Sequence, residues 1–109
     1  MARDNEEALR WFHKANSQGL PGAAYAVGIM RREGAGVPVD YKRALILFRR
    51  AANHGIPEAQ YALGMMYREG TGVPLDHKQA FVWFSKAAGG DLPEAQCALA
   101  LESVLKLPD

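Results

Sequence analysis

Residues 59–94 repeat residues 23–58, and no other feature of the chain restricts its fold as strongly. Aligned without gaps, the two segments are identical at 19 of 36 positions. Unrelated segments would share about two, and a period of this length falls in the range of helical solenoids. Each copy holds two kinds of helix. The first follows an aspartate, Asp4, Asp40 or Asp76, whose carboxylate suits the unpaired N–H groups of a first helical turn. Behind it Ala8, Trp11, Phe12 and Ala15 recur as Ala44, Leu47, Phe48 and Ala51, then as Ala80, Trp83, Phe84 and Ala87. Spacings of three and four place them on one stripe, which predicts aromatic helices near 5–17, 41–53 and 77–88.

Glycine ends each aromatic helix, at Gly19, at Gly55 and at the pair Gly89-Gly90, because it enters the left-handed cap conformation without steric cost. Pro21, Pro57 and Pro93 then open a second helix, where a missing N–H loses nothing. This alanine-glycine helix carries Ala59, Ala62, Leu63, Gly64 and Tyr67, matched by Ala23, Ala26, Val27, Gly28 and Arg31. A glycine in mid-helix costs roughly 1 kcal/mol against alanine. Its recurrence at 28 and 64 predicts the close approach of a neighbouring helix.

Between helix pairs stand REGAGVPVD (32–40) and REGTGVPLD (68–76). Gly34 and Gly70 suit C-caps, Gly36 and Gly72 a further turn, and Pro38 and Pro74 hold the preceding valine extended. A phosphate cradle would need a following Lys-Ser or Lys-Thr and a preceding strand, and neither is present. From Pro93 the last helix keeps Glu94, Ala95, Gln96, Ala98 and Leu99, then drifts. Ala100 stands for the glycine, Ser103 for the tyrosine and Lys106 for the capping glycine, as in a terminal repeat with nothing stacked beyond it, while the apolar tail of Val104, Leu105 and Leu107 also suits a chain cut from a longer array.

The residues Ala59, Leu63-Gly64, Tyr67, Gly70, Gly72-Val73, Asp76, Lys78, Ala80, Trp83-Phe84 and Ala87-Ala88 together resemble the Sel-1-like repeat, a relative of the tetratricopeptide repeat. The resemblance spans nearly the whole chain. Repeats lie near 23–58 and 59–94, flanked by partial repeats at 4–22 and 95–107, within a single domain 1–109. Departures are Arg31 for tyrosine, Leu47 for tryptophan, and the degenerate last helix. The resemblance implies an all-α, right-handed solenoid of about three antiparallel helix pairs, acting as an adaptor or scaffold for a protein or peptide. Immunity proteins that neutralise toxins by direct binding also belong to such families. A structural segment of a longer array, with self-association through the terminal helices, is the competing class. A cysteine-rich branch linked to β-lactams carries a cysteine pair in each repeat, whereas this chain has only Cys97.

Composition narrows the function further. Net charge is +1, so no overall basic field draws the chain to nucleic acid. Residues 1–54 nonetheless hold nine Lys or Arg against five Asp or Glu, and residues 55–109 hold four against seven. No apolar run reaches the roughly 18 residues of a membrane span. The amphipathic start MARDNEEALRWF lacks a signal core, so a cytoplasmic location is expected. One cysteine excludes an intrachain disulfide and a cysteine metal cluster. His13, His54 and His77 share no ligand spacing and do not recur in the repeat, their equivalents including Arg49, Gln18 and Tyr41. No cofactor, metal or catalytic residue is therefore expected, and Cys97 reads as a small hydrophobe.

In tetratricopeptide repeats the equivalent of the alanine-glycine helix lines the concave groove. Carried across, the groove ladder is Tyr25, Ile29, Arg32 and Glu33, then Tyr61, Met65, Arg68 and Glu69, then Cys97, Leu101, Val104 and Leu105. Tyrosine, methionine and arginine concentrate binding energy in interfaces. An apolar spine flanked by Arg and Glu suits an extended or helical peptide.

Overall fold

A computed structural model describes residues 2–105. The chain runs through α1 (Ala2–Ser17), α2 (Pro21–Glu33), α3 (Tyr41–Asn53), α4 (Pro57–Glu69), α5 (His77–Gly89) and α6 (Pro93–Leu105), with no strand among the described residues. The extensive contacts run between helices consecutive in sequence, as in an α-solenoid. The molecule measures 51 × 24 × 20 Å with a radius of gyration of 14.4 Å. A compact domain of this length would have about 13 Å, so the excess reflects one-dimensional stacking.

The helix ends follow the repeat. Asp40 caps α3 by accepting from the Arg43 N–H at 3.1 Å, and Asp76 caps α5 by accepting from Lys78 and Gln79 at 3.0 and 3.2 Å. Asp4 differs, because α1 begins two residues ahead of it; the Asp4 side chain lies outside the described residues. Gly34 and Gly70 end α2 and α4 in the left-handed conformation, each N–H donating to a methionine carbonyl four residues back, Met30 or Met66. The loops then close identically: Asp40 N–H donates to Arg31 at 2.8 Å and Asp76 N–H to Tyr67 at 2.9 Å.

One expected cap is corrected. The left-handed residue after α5 is Asp91, at φ 63°, whereas Gly89 is helical and Gly90 has φ −91°. Asp91 stands at the register position of Gly55 (φ 85°), so the repeat fixes the geometry and aspartate tolerates it better than most residues.

The aromatic stripes of α3 and α5 enter the core against the small and apolar residues of α2, α4 and α6. Ala44, Phe48 and Ala51, and likewise Ala80, Phe84 and Ala87, are all fully buried. Gly28 and Gly64 are where the two helix types meet. A Cβ at Gly28 would stand 2.7 Å from Phe48 Cε1, and one at Gly64 would stand 2.6 Å from Phe84 Cε1. The close neighbour expected from the sequence is thus a phenylalanine ring laid across the glycine. The third stripe departs from expectation: Trp11 is 63% exposed and Phe12 37%, because among the described residues no helix lies across them as α2 and α4 lie across Phe48 and Phe84.

Candidate partner-binding site

The helix period puts successive turns of α4 and α6 along a shared recess. There a trough of about 380 Å³ is lined by Tyr61, Met65 and Arg68 from α4 and Glu94, Cys97, Ala98 and Leu101 from α6. Five of the twelve ladder residues, Tyr61, Met65, Arg68, Cys97 and Leu101, therefore share one surface. Its floor is mostly apolar, with a cation and an anion at the sides. Cys97 is exposed here and does not fill core space as a small hydrophobe would.

The first rung of the ladder lies elsewhere. Tyr25 and Ile29 are half-buried against the core cluster around Phe48, and Tyr25 holds its ring 5.9 Å from that phenylalanine. Burial pushes the Tyr25 phenol above its ordinary value, with the Arg32 cation opposing the shift. Arg32 lies 5.5 Å from the Phe48 ring centroid and pairs with Glu33 at 3.2 Å. It lines a smaller recess of about 190 Å³ with Tyr41, Met65, Met66, Glu69 and Thr71. Met65 faces both recesses. Tyr61 also serves packing, with its ring 5.7 Å from Phe84. The ladder grades from half-buried at Tyr25 and Ile29 to exposed at Leu101 and Val104; the Leu105 side chain lies outside the described residues.

A polar cluster that the repeat pattern did not announce stands beside the trough. Glu102 is fully buried, yet 36 and 72 positions earlier the equivalent core residues are Met66 and Met30. Its Oε2 lies 2.9 Å from His77 Nδ1, and its Oε1 lies 3.8 Å from Arg68 Nε. His77 stands in turn at the position of Tyr41. Where Arg32, Met66 and Tyr41 line one recess, the equivalent positions one repeat later hold Arg68, Glu102 and His77. The cluster ties α6 to the start of α5 and the end of α4. The signal was available in Glu102 itself, a charged residue in step with two core methionines.

The remaining polar candidates are dispersed. His54 Nδ1 stands 2.9 Å from the Arg50 carbonyl one turn back. His13 lines a separate recess with Asn16, Arg31, Arg43 and Arg50. Among the described residues no group of three or more His, Cys, Asp or Glu could hold a metal ion. No described helix is long and apolar enough to cross a membrane.

Known proteins share this architecture. The Sel1 repeat model matches residues 1–20, 21–56 and 57–91. Its second and third repeats begin at Pro21 and Pro57, two residues ahead of the frame used above. The crystal structure of a Sel1 repeat protein from Oxalobacter formigenes superposes with a TM-score of 0.88 at 32% identity, covering 94% of this chain and 42% of that one. That of c5321, a protective antigen present in uropathogenic Escherichia coli strains and displaying an SLR fold, gives a TM-score of 0.79 at 41% identity over 80% of this chain and 19% of that one. Chitin synthase regulatory factor 3 of Schizosaccharomyces pombe is 50% identical over 40 residues, 37% of this chain and 4% of the relative. The chain thus spans well under two thirds of each of these proteins.

Proposed function

The chain belongs to the Sel1 repeat family, and from that premise we propose that it is a non-catalytic binding module that holds a segment of a partner protein in the trough between α4 and α6. Sel1 repeat proteins are generally protein-interaction scaffolds. The observation that carries the finer reading is the trough itself, where consecutive alanine-glycine helices present Tyr61, Met65, Ala98 and Leu101 as one apolar strip with Arg68 and Glu94 beside it. An apolar strip binds through burial, and the flanking charges select for a segment with apolar anchors and ions of both signs around them. An extended or single-helix segment fits such a narrow recess. The same surface is the one expected to be concave by analogy with tetratricopeptide repeats. A cytoplasmic site of action accords with this role.

Leu101 is the residue to perturb, since it is 46% exposed and lines the trough without closing the core. Leu101→Glu is expected to weaken binding of a captured partner by about 2 kcal/mol or more, roughly thirtyfold, with the helical circular dichroism unchanged. Lys42→Ala and Lys78→Ala, on the aromatic helices, serve as controls that keep binding. Capture unaffected by Leu101→Glu but lost in the lysine variants would move the binding surface off the trough.

A further inference from the structure

Arg31 stands at the register position of Tyr67, and Leu47 at that of Trp83. One repeat later both positions are occupied by packed aromatic rings. Trp83 is 7% exposed with the Lys86 ammonium 4.6 Å from its ring centroid, and the Tyr67 hydroxyl accepts from Arg49 Nη2. In the earlier repeat the smaller leucine and the arginine both line a recess of about 280 Å³ between α1, α2 and α3. Two departures from the repeat motif thus meet at one place.

The charge of this recess is one-sided. Arg31, Arg43 and Arg50 line it beside His13 and Asn16, and no acidic side chain does. Arg43 shares its charge with Asp40, whose Oδ2 lies 3.5 Å from Arg43 Nε. Arg50 donates to Asn16 Oδ1 at 2.9 Å, a neutral partner. Among the described residues neither Arg31 nor Arg50 forms an ion pair with a carboxylate. Arg31 also keeps its Nε buried with no hydrogen-bond partner. A buried donor left unpaired costs free energy that an incoming acceptor recovers.

We propose that this recess binds a phosphate monoester carried on a side chain of a partner protein, at a site separate from the trough between α4 and α6. A guanidinium fork takes phosphate oxygens two at a time. The monoester brings about −1.5 to −2 charges and three acceptor oxygens at pH 7. That matches two arginines without a carboxylate and a third shared with Asp40. A carboxylate, with one charge and two oxygens, would engage one fork and leave the others idle. Ile46 and Leu47 line the same recess, so the carbon stem of a modified side chain finds apolar contact that a free ion would not use. Loss of partner capture in Leu101→Glu would leave this site untouched, because the two share no residue.

Calorimetric titration of the full chain, with amide NMR shifts to locate the site, tests this with distinct probes. These are an alanine-based peptide carrying one phosphoserine, the same peptide with glutamate there, inorganic phosphate, and phosphatidylcholine vesicles containing phosphatidic acid. The phosphopeptide is expected to bind about tenfold or more tighter than the glutamate peptide or inorganic phosphate, shifting the amides of Arg31, Leu47 and Arg50. The vesicles should not bind. Arg31→Tyr, which restores the residue of the next repeat, and Arg50→Gln, at an exposed position, should each weaken the phosphopeptide about tenfold. Leu47→Trp keeps every charge but refills the space, and it should weaken binding as much. Lys78→Ala, which removes a charge on α5, should not. Circular dichroism confirms that each variant is folded. The proposal is overturned if no probe binds at millimolar concentration, or if the glutamate peptide binds as tightly. It is also overturned if inorganic phosphate binds as tightly (an adventitious ion only), or if the vesicles bind and the phosphopeptide does not. Unchanged affinity in folded Leu47→Trp or Arg50→Gln would equally sink it, for the attraction would then be diffuse surface charge.

Discussion

Replacing Glu102 by methionine should leave the protein as stable as before or more so. The carboxylate is fully buried and makes one well-formed hydrogen bond, with His77 at 2.9 Å. Its other oxygen has no hydrogen-bond partner and lies 3.8 Å from Arg68, beyond hydrogen-bond reach. A charge-assisted bond contributes about 1.5–3 kcal/mol. Against it stand the several kcal/mol that desolvating a carboxylate costs and the roughly 1.5–3 kcal/mol gained by burying a methionine side chain. His77 and Arg68 keep 42% and 24% of their side-chain surface in solvent, so losing Glu102 strands no buried cation. The position already accepts methionine twice, at Met30 and Met66. The expected gain for Glu102→Met is therefore about 0–3 kcal/mol, within the range found when buried ion pairs give way to packed hydrophobes. Glu102→Ala, which leaves a cavity, should fall about 2–5 kcal/mol below Glu102→Met. Urea denaturation followed at 222 nm measures both. A loss of more than about 1 kcal/mol in Glu102→Met with an unchanged m-value would refute the reasoning, since the ion cluster would then outweigh its own desolvation.

Three further outcomes test the packing. Phe84→Ala should cost about 3–5 kcal/mol, whereas Phe12→Ala, at a ring left 37% exposed, should cost clearly less in the same denaturation assay. Gly64→Ala gains about 1 kcal/mol of helix propensity but sets a Cβ against Phe84, an overpacking cost of about 1–3 kcal/mol; it should destabilise on balance, while Gly22→Ala, with nothing within 4 Å, should raise the melting temperature. Asp91→Gly should stabilise by up to about 1 kcal/mol, because it relieves a left-handed backbone at φ 63°; an unchanged melting curve would show that aspartate carries no strain there.

The sequence alone determined the local architecture. Hydrophobic period, proline starts and aspartate caps act over a few residues, so helix positions could be read from the spacing of Ala44, Phe48 and Ala51 or from Pro57 and Gly70. The 36-residue period then gave equivalent residues equivalent registers, so that Tyr61 and Cys97, or Met65 and Leu101, stand at matching positions of their helices, and the structure lines one trough with them. The period fails wherever a residue's surroundings differ from those of its equivalents. Phe12 and Phe48 share a register, but burial depends on the helix in front, and among the described residues only Phe48 has one. Tyr25 and Tyr61 look alike on the ladder, yet only Tyr61 reaches the trough, because α6 forms its far wall. Gly89-Gly90 offered a cap, but the left-handed turn stayed at Asp91, where stacking sets the chain direction. Glu102 is the sharpest case. Its position in the sequence marks a core site, but only the tertiary structure brings Arg68 and His77, from two other helices, close enough to hold a carboxylate there.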